Sequence, residues 1–323
     1  MPIRIGFVGI GWIANTHFDA LSRLEEAQLV AFCDIDSARA ERAAARFSGR
    51  AYTDWRTMLD AEPLDALYIC LPPYAHDGVE IEAAQRGIHL FVEKPVARDL
   101  EYARRAEEAI RKAGIVSMVG YHFRYYGAIE RAKERLHGMP VLMVKGAWDG
   151  GMPTSTLWWR QRALSGGQLI EQTTHIFDLA RYLVGEIVEV FTYSHHNPAL
   201  LHQPDGDIAV ADVVCLKFEN GAVGVITNTN GLHAPGEVGL KVYTPERIIE
   251  VSWGRMVETE ANRKEEYHSR DNPYLRESEA FLEAIRTGNR SLIRSDYSDA
   301  VRTLAVTLAA DESGHTGTVC KLR

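Results

Sequence analysis

The chain is short of cysteine, has no block of basic residues and has no long apolar run, and each shortage removes a class of protein. Its four cysteines, Cys33, Cys70, Cys215 and Cys320, stand singly without a C-x-x-C pair. That spacing excludes a disulfide framework and a thiolate metal centre, and no metal is expected. Thirty-six basic against 44 acidic residues give a formal charge of −8. A phosphate backbone finds no clustered Lys and Arg here, so nucleic acid is excluded as a partner. No apolar stretch approaches the length of a membrane span, and the N-terminus enters a strand without a charged leader or cleavage site. The expectation is a cytoplasmic protein with no membrane partner. Repeats and low-complexity tracts are absent as well.

What is present is apolar material for two cores, since 46% of 323 residues are hydrophobic. Ile3, Ile5, Phe7 and Val8 make a short strand-forming run that breaks at Gly9 and resumes as a helix through Leu21 and Leu24. Gly9 and Gly11 leave no Cβ where backbone would approach a pyrophosphate, and a helix starting near Ile13 aims its free N–H groups there. Ala14 takes the third small position. A glycine turn alone is a common surface feature, but the next strand ends in Asp34, about 20 residues on, where a carboxylate accepts bonds from a ribose. The competing reading of Asp34 is a helix cap ahead of Ser37.

Strand and helix then alternate. Strands are predicted at 28–33, 51–52, 66–70, 88–92 and 116–119, with helices at 37–47, 77–86 and 99–113 between them. This rhythm implies a parallel, doubly wound sheet whose ligands gather beyond the carboxyl ends of the strands. Those ends carry Gly9 to Ala14, Asp34, Leu71 to His76, Glu93 to Pro95 and Gly120 to Arg124. The alternation stops near Gly120, which predicts a dinucleotide-binding domain over 1–121 and a second α/β domain over 122–323. In the second domain, a helix at 125–137 precedes a strand at 141–147, a Gly/Pro/Trp-rich loop at 149–160 and one long helix at 169–183. Strands at 187–194, 212–218, 222–229, 239–243 and 247–252 follow as a mainly antiparallel sheet, with a hairpin at Asn220-Gly221. Helices at 273–287 and 296–310 close the chain.

Two residues fit a proton-transfer role in hydride chemistry. Lys94 follows a buried strand on the cofactor side of the sheet. On the long helix, about 100° per residue puts Glu171, His175, Asp178 and Tyr182 on one stripe, where Glu171 and His175 can address one ligand. Oxidation of a carbinol needs a group that takes the hydroxyl proton, and Lys94 and His175 are both candidates.

The motifs Gly9-Ile10-Gly11-Trp12-Ile13-Ala14, Pro72-Pro73 with His76, Glu93-Lys94-Pro95, Gly120 with Arg124, Trp159-Arg160, Gly166-Gly167 and Glu171 to Asp178 occur in this order. As a set they resemble the glucose-fructose oxidoreductase, inositol dehydrogenase and rhizopine catabolism (Gfo/Idh/MocA) family, nearly end to end. The resemblance implies an N-terminal Rossmann domain, a C-terminal α/β domain with a large, mainly antiparallel open sheet, and an active site between the two. It implies catalytic roles for Lys94, His175 and Glu171. Cofactor contacts are implied for Gly9, Gly11, Trp12, Ile13, Ala14, Asp34, Leu71, Pro72, His76, Glu93 and Lys94. The substrate contacts implied are Lys94, Tyr121, Arg124, Trp159, Arg160, Glu171 and His175. Glu171 departs from the Asp common in the family and is one methylene longer. Pro95 is read as orienting Lys94, with a cis bond at proline energetically accessible.

The expected protein is an NAD(P)-dependent oxidoreductase of a sugar, sugar-derivative or cyclitol alcohol. Asp34 favours NAD by pairing with a free 2′-hydroxyl, and Arg39 nearby keeps NADP open. The alternatives are a non-catalytic sensor of the same fold and a family enzyme acting on a non-sugar substrate. The apolar runs 213–216 and 222–226 predict a sheet covered on both faces, with a second copy completing the cover. A homodimer or homotetramer through the C-terminal sheet follows, with Cys215 and Val223 near the interface.

Overall fold

The computed structural model describes residues 1–151, 156–201 and 206–322; part of the 149–160 loop thus lies outside the described residues. The chain forms two compact units, Met1–His122 with Asn272–Val301 and Phe123–Asp271 with Arg302–Arg323.

The first unit alternates β1 (Ile3–Val8), α1 (Trp12–Leu21), β2 (Ala27–Cys33), α2 (Ser37–Phe47), β3 (Arg50–Tyr52), α3 (Trp55–Ala61), β4 (Ala66–Ile69), α4 (Val79–Gln85), β5 (His89–Val92), α5 (Leu100–Ala113) and β6 (Ser117–Val119). Its six strands run parallel in the order β3-β2-β1-β4-β5-β6. Helices cover both faces, so β4 is buried at every position instead of alternating. Phe7 packs edge-on against Phe18 at 4.6 Å, and Tyr68 stacks on Phe91 at 4.4 Å. Because the strand order reverses between β1 and β4, the crevice for a ligand opens beyond their carboxyl ends.

Side-chain caps close α2, α3 and α5 of this unit and are missing from α1 and α4, which begin at Gly11 and Gly78. Asp36, Asp54 and Asp99 accept first-turn N–H bonds at the starts of α2, α3 and α5. Asp36, and not Asp34, is therefore the cap of α2. At the start of α1 stands Gly11, which has no side chain to cap with. The first N–H groups of α1 are left for something else.

The second unit contains α6 (Gly127–Leu136), β7 (Met143–Asp149), α7 (Arg162–Ser165), α8 (Gln168–Glu171), α9 (Thr174–Val184), β8 (Ile187–His195), β9 (Ala211–Phe218), β10 (Val223–Thr229), β11 (Val238–Tyr243), β12 (Arg247–Ser252), β13 (Arg255–Glu260) and β14 (Arg263–His268). After α10 (Pro273–Thr287), which belongs to the first unit, α11 (Tyr297–Thr316) leads to β15 (Cys320–Lys321). The nine strands are ordered β14-β13-β12-β11-β7-β10-β9-β8-β15, and only β7 and β10 pair in parallel. β13 and β14 escaped the sequence reading because β13 offers only the apolar pair Met256-Val257 and β14 is mostly charged; cross-strand pairs such as Arg255–Glu266 at 2.6 Å add to the burial of Met256 and Val257. One face of the sheet packs on α6 and α9 through Ile129, Leu136, Ile176, Leu179, Val144, Ile226 and Leu240.

Three expectations are corrected here. Residues 272–301 do not belong to the second domain, and α10 does not cover its sheet. The Phe281 ring of α10 lies 5.7 Å from both Tyr68 and Phe91 of the first unit. An apolar helix face does not say which core it enters. The helix predicted over 169–183 is two, because Gln168 takes the Thr173 N–H five residues on, at 2.9 Å, and the chain restarts with Ile176 N–H on Thr173 O at 2.8 Å. Lastly, β9 alternates strictly, so Val214 and Leu216 are buried while Val213, Cys215 and Lys217 are exposed. Among the described residues, the chain leaves this second face uncovered at Tyr193, Val213, Cys215 and Val223.

Gly146 sets the spacing between β7 and α9, since a Cβ there would come 2.5 Å from Ile176 Cγ2. Gly146→Ala is expected to destabilise the protein by about 1–3 kcal/mol through overpacking. An unchanged denaturant midpoint would show that the helix has room to move.

Candidate active site

Gly9 has φ +87°, and a Cβ on it would stand 2.4 Å from the Cys70 carbonyl oxygen. Only glycine fits at the end of β1. Its N–H donates to Cys33 O at 2.8 Å, which ties the turn to β2. Gly11 differs, because a Cβ there meets nothing within 4 Å; its lack of a side chain keeps space open in front of α1. Trp12 is 77% exposed, and Ala14 is buried against the sheet. Asp34 is more than a ribose ligand in waiting. Its Oδ2 accepts the Ile10 N–H at 2.7 Å and its Oδ1 the Asp36 N–H at 2.9 Å, and each oxygen keeps a second acceptor site. An uncapped helix, an open Gly11 and an acid at the end of β2 fit a dinucleotide's pyrophosphate and ribose.

Leu71 and Pro72 leave β4 half-buried. His76, expected to touch the cofactor, is instead in the interior; its Nδ1 bonds Glu80, whose other oxygen accepts the Tyr102 hydroxyl. It supports the 71–76 segment from behind. Lys94 is partly exposed beyond β5, and the Lys94–Pro95 bond is cis. Its own N–H donates to Glu93 Oε2 at 3.1 Å, and Glu93 Oε1 stands 2.7 Å from His17 Nε2. Tyr121, expected at the substrate, is buried. Beside it His122 stacks on Tyr274 at 4.5 Å. Burial first, and then the positive charge of Lys94, push the His122 pKa down to about 3, so this ring is neutral at ordinary pH.

In the second unit His175 lies on α9 among aromatic rings, stacked with Trp148 at 5.6 Å and tilted to Phe123 at 5.1 Å. Trp253 meets Phe123 edge-on at 4.8 Å and is half exposed. The sequence reading missed Trp253, although a tryptophan followed by Gly254 between two strands is a usable signal. Glu171 ends α8, so the single stripe drawn through Glu171 and His175 does not exist. Arg124 is not on the surface as a substrate ligand. It is buried and forked onto Asp178, Nε to Oδ2 at 2.7 Å and Nη2 to Oδ1 at 2.6 Å, with Thr303 donating to the same carboxylate. Trp159 is likewise interior, in a small cluster with Leu201, Ile208 and Val210. Arg160, next to it, is partly exposed.

A parallel sheet of this strand order, with a glycine turn feeding an uncapped helix and an acid closing the second strand, defines a nicotinamide-dinucleotide-binding oxidoreductase. Residues 3–121 match the oxidoreductase family with an NAD-binding Rossmann fold, and 140–250 match the GFO/IDH/MocA C-terminal domain. The chain belongs to the GFO/IDH/MocA family of oxidoreductases. It is 32% identical to the uncharacterized oxidoreductase YrbE of Bacillus subtilis over 70% of this chain and 67% of that one. It is 29% identical to the myo-inositol 2-dehydrogenase of Thermotoga maritima over 88% and 86%. Levoglucosan dehydrogenase in complex with NADH and levoglucosan shares the fold, with a TM-score of 0.89 at 22% identity over 99% of both chains.

The Arg124–Asp178 pair gives a direct test of the correction above. Arg124→Met leaves a buried carboxylate unpaired and should cost about 3–5 kcal/mol of stability in chemical denaturation. Wild-type stability with a raised substrate KM would restore Arg124 to the substrate side.

Proposed function

We propose that this protein transfers a hydride between NAD and a secondary alcohol or ketone of a sugar, sugar derivative or cyclitol. The observation that carries the reading is Lys94, held through its backbone by Glu93 at the carboxyl end of β5, on the edge of the sheet where the Gly9 turn and the uncapped α1 also lie. The similarity to myo-inositol 2-dehydrogenase supports the substrate class. Bound NAD supplies the hydride acceptor. The chain supplies His175, which takes the hydroxyl proton, and Lys94, whose ammonium stabilises the oxygen as that proton leaves. The aromatic rings of Trp148, Trp253 and Phe123 around His175 suit the C–H faces of a polyol ring. Retention of both Lys94 and His175 argues against a non-catalytic sensor.

Nicotinamide reduction measured across a polyol panel tests the reading, and absence of turnover with every member would sink it. Lys94→Met should lower turnover by about two to four powers of ten while leaving NADH affinity near wild type.

A cytoplasmic location and a homo-oligomer belong to the same proposal. The unpaired cysteines suit a reducing compartment. The uncovered sheet face, with Tyr193 71%, Val213 43% and Val223 51% exposed, suits a second copy of itself in a twofold dimer or a tetramer of such dimers. Light scattering at micromolar concentration should return the mass of a dimer or tetramer; a monodisperse monomer refutes this assembly.

A further inference from the structure

The hydride-transfer reading uses Lys94 but not the three buried groups behind it. His17 of α1, Glu93 beyond β5 and Glu277 of α10 each bring one nitrogen or oxygen within 4.8 Å of the others, and all three are buried. His17 and Glu93 are hydrogen-bonded to each other, and Glu93 also receives the Lys94 N–H. Glu277 is different. It is fully buried, and neither of its carboxylate oxygens has a hydrogen-bond partner among the described residues; His17 Nδ1 lacks one too. An ionised carboxylate in that position would carry an unpaired buried charge beside a second carboxylate, at a cost of several kcal/mol.

We infer that Glu277 is a positioning residue held as an uncharged carboxylic acid next to the His17–Glu93 pair, which keeps a second buried charge away from the Glu93 carboxylate that holds the Lys94 backbone. As an acid it is a donor, and His17 Nδ1 and the Glu93 carboxylate are the acceptors in the cluster. Burial first, and then the charge of Glu93, hold the Glu277 carboxyl well above its ordinary range. Three neighbouring ionisable groups, Tyr68, Cys70 and His122, carry no charge. Tyr68 and Cys70, from β4 and just beyond it, are fully buried, and burial and the two glutamates push their ionisation up. His122, stacked on Tyr274 of α10, is neutral. A cation bound between His17 and Glu93 fits less well, because Nε2 and Oε1 are already at hydrogen-bond separation, 2.7 Å, whereas two donors on one tetrahedral ion at bonds of about 2.1 Å stand about 3.4 Å apart. Gly120 closes the pocket, since a Cβ there would lie 2.7 Å from Glu93 Oε1.

The link to catalysis rests on the hydride-transfer reading, whereas the protonation state does not, so the two are tested separately. The infrared spectrum of the wild-type protein in heavy water near neutral pH should contain the carbonyl stretch of a protonated carboxylic acid, absent from Glu277→Gln. A difference spectrum showing only an ionised carboxylate overturns the inference. In kinetics, Glu277→Gln keeps an uncharged donor and should hold kcat within about threefold with an unchanged pH profile; Glu277→Leu should lose about tenfold or more in kcat with NADH affinity unchanged. Equal loss in both variants would mean that the charge is what matters, and it overturns the inference. So does one equivalent of Zn²⁺ or Mn²⁺ retained after dialysis by the wild type and not by Glu277→Gln, which would make the cluster a metal site. If neither variant folds, the wild-type infrared band alone decides.

Discussion

The nucleotide end of the first unit depends on how the chain leaves β1. Gly9 turns with positive φ directly against the carbonyl of Cys70, and its N–H is spent on Cys33. The turn is therefore pinned by both neighbouring strands, and the next N–H, that of Ile10, is pinned by Asp34. From this follow the direction of α1 and the exposure of its first amide groups. A side chain at Gly9 would push the turn off β4, and with it the start of α1.

Around that turn the structure separates partly exposed residues from the buried polar groups that hold them. Helices α2, α3 and α5 are closed by aspartates, whereas α1 and α4 begin at glycines without a side-chain cap. Behind Leu71 and Pro72 stands the buried chain His76, Glu80, Tyr102. Behind Lys94 stand Glu93, His17 and Glu277. In the second unit the helix carrying His175 is anchored three residues on, where Asp178 is gripped by Arg124 and Thr303. Each of these polar chains is buried, where a hydrogen bond is worth more than in water and a missing partner costs more. Such networks hold a functional side chain in one place.

The same separation puts four of the expected site residues in the interior. Arg124, His76, Trp159 and Tyr121 have side chains that suit a ligand, and all four are buried. Residue type does not reveal whether a guanidinium meets a substrate or an interior carboxylate. Asp178, the partner of Arg124, is 54 residues away, and no local spacing joins the two.

The sequence by itself determined the local events. The glycine turn after a buried strand, the acid at the end of β2, the alternation that makes a parallel sheet, and Lys94 just past β5 all follow from neighbours within a few residues, where backbone sterics and hydrophobic period act. Tertiary structure alone decided that α10 joins the first unit, that the helix before His175 breaks at Gln172 and Thr173, and that charged β13 and β14 extend the second sheet. It also decided which face of β9 the helices bury and that Glu277 lies beside His17 and Glu93. These outcomes turn on packing and pairing between segments far apart in the chain, and such energies belong to pairs of surfaces, so no single segment carries them in its pattern.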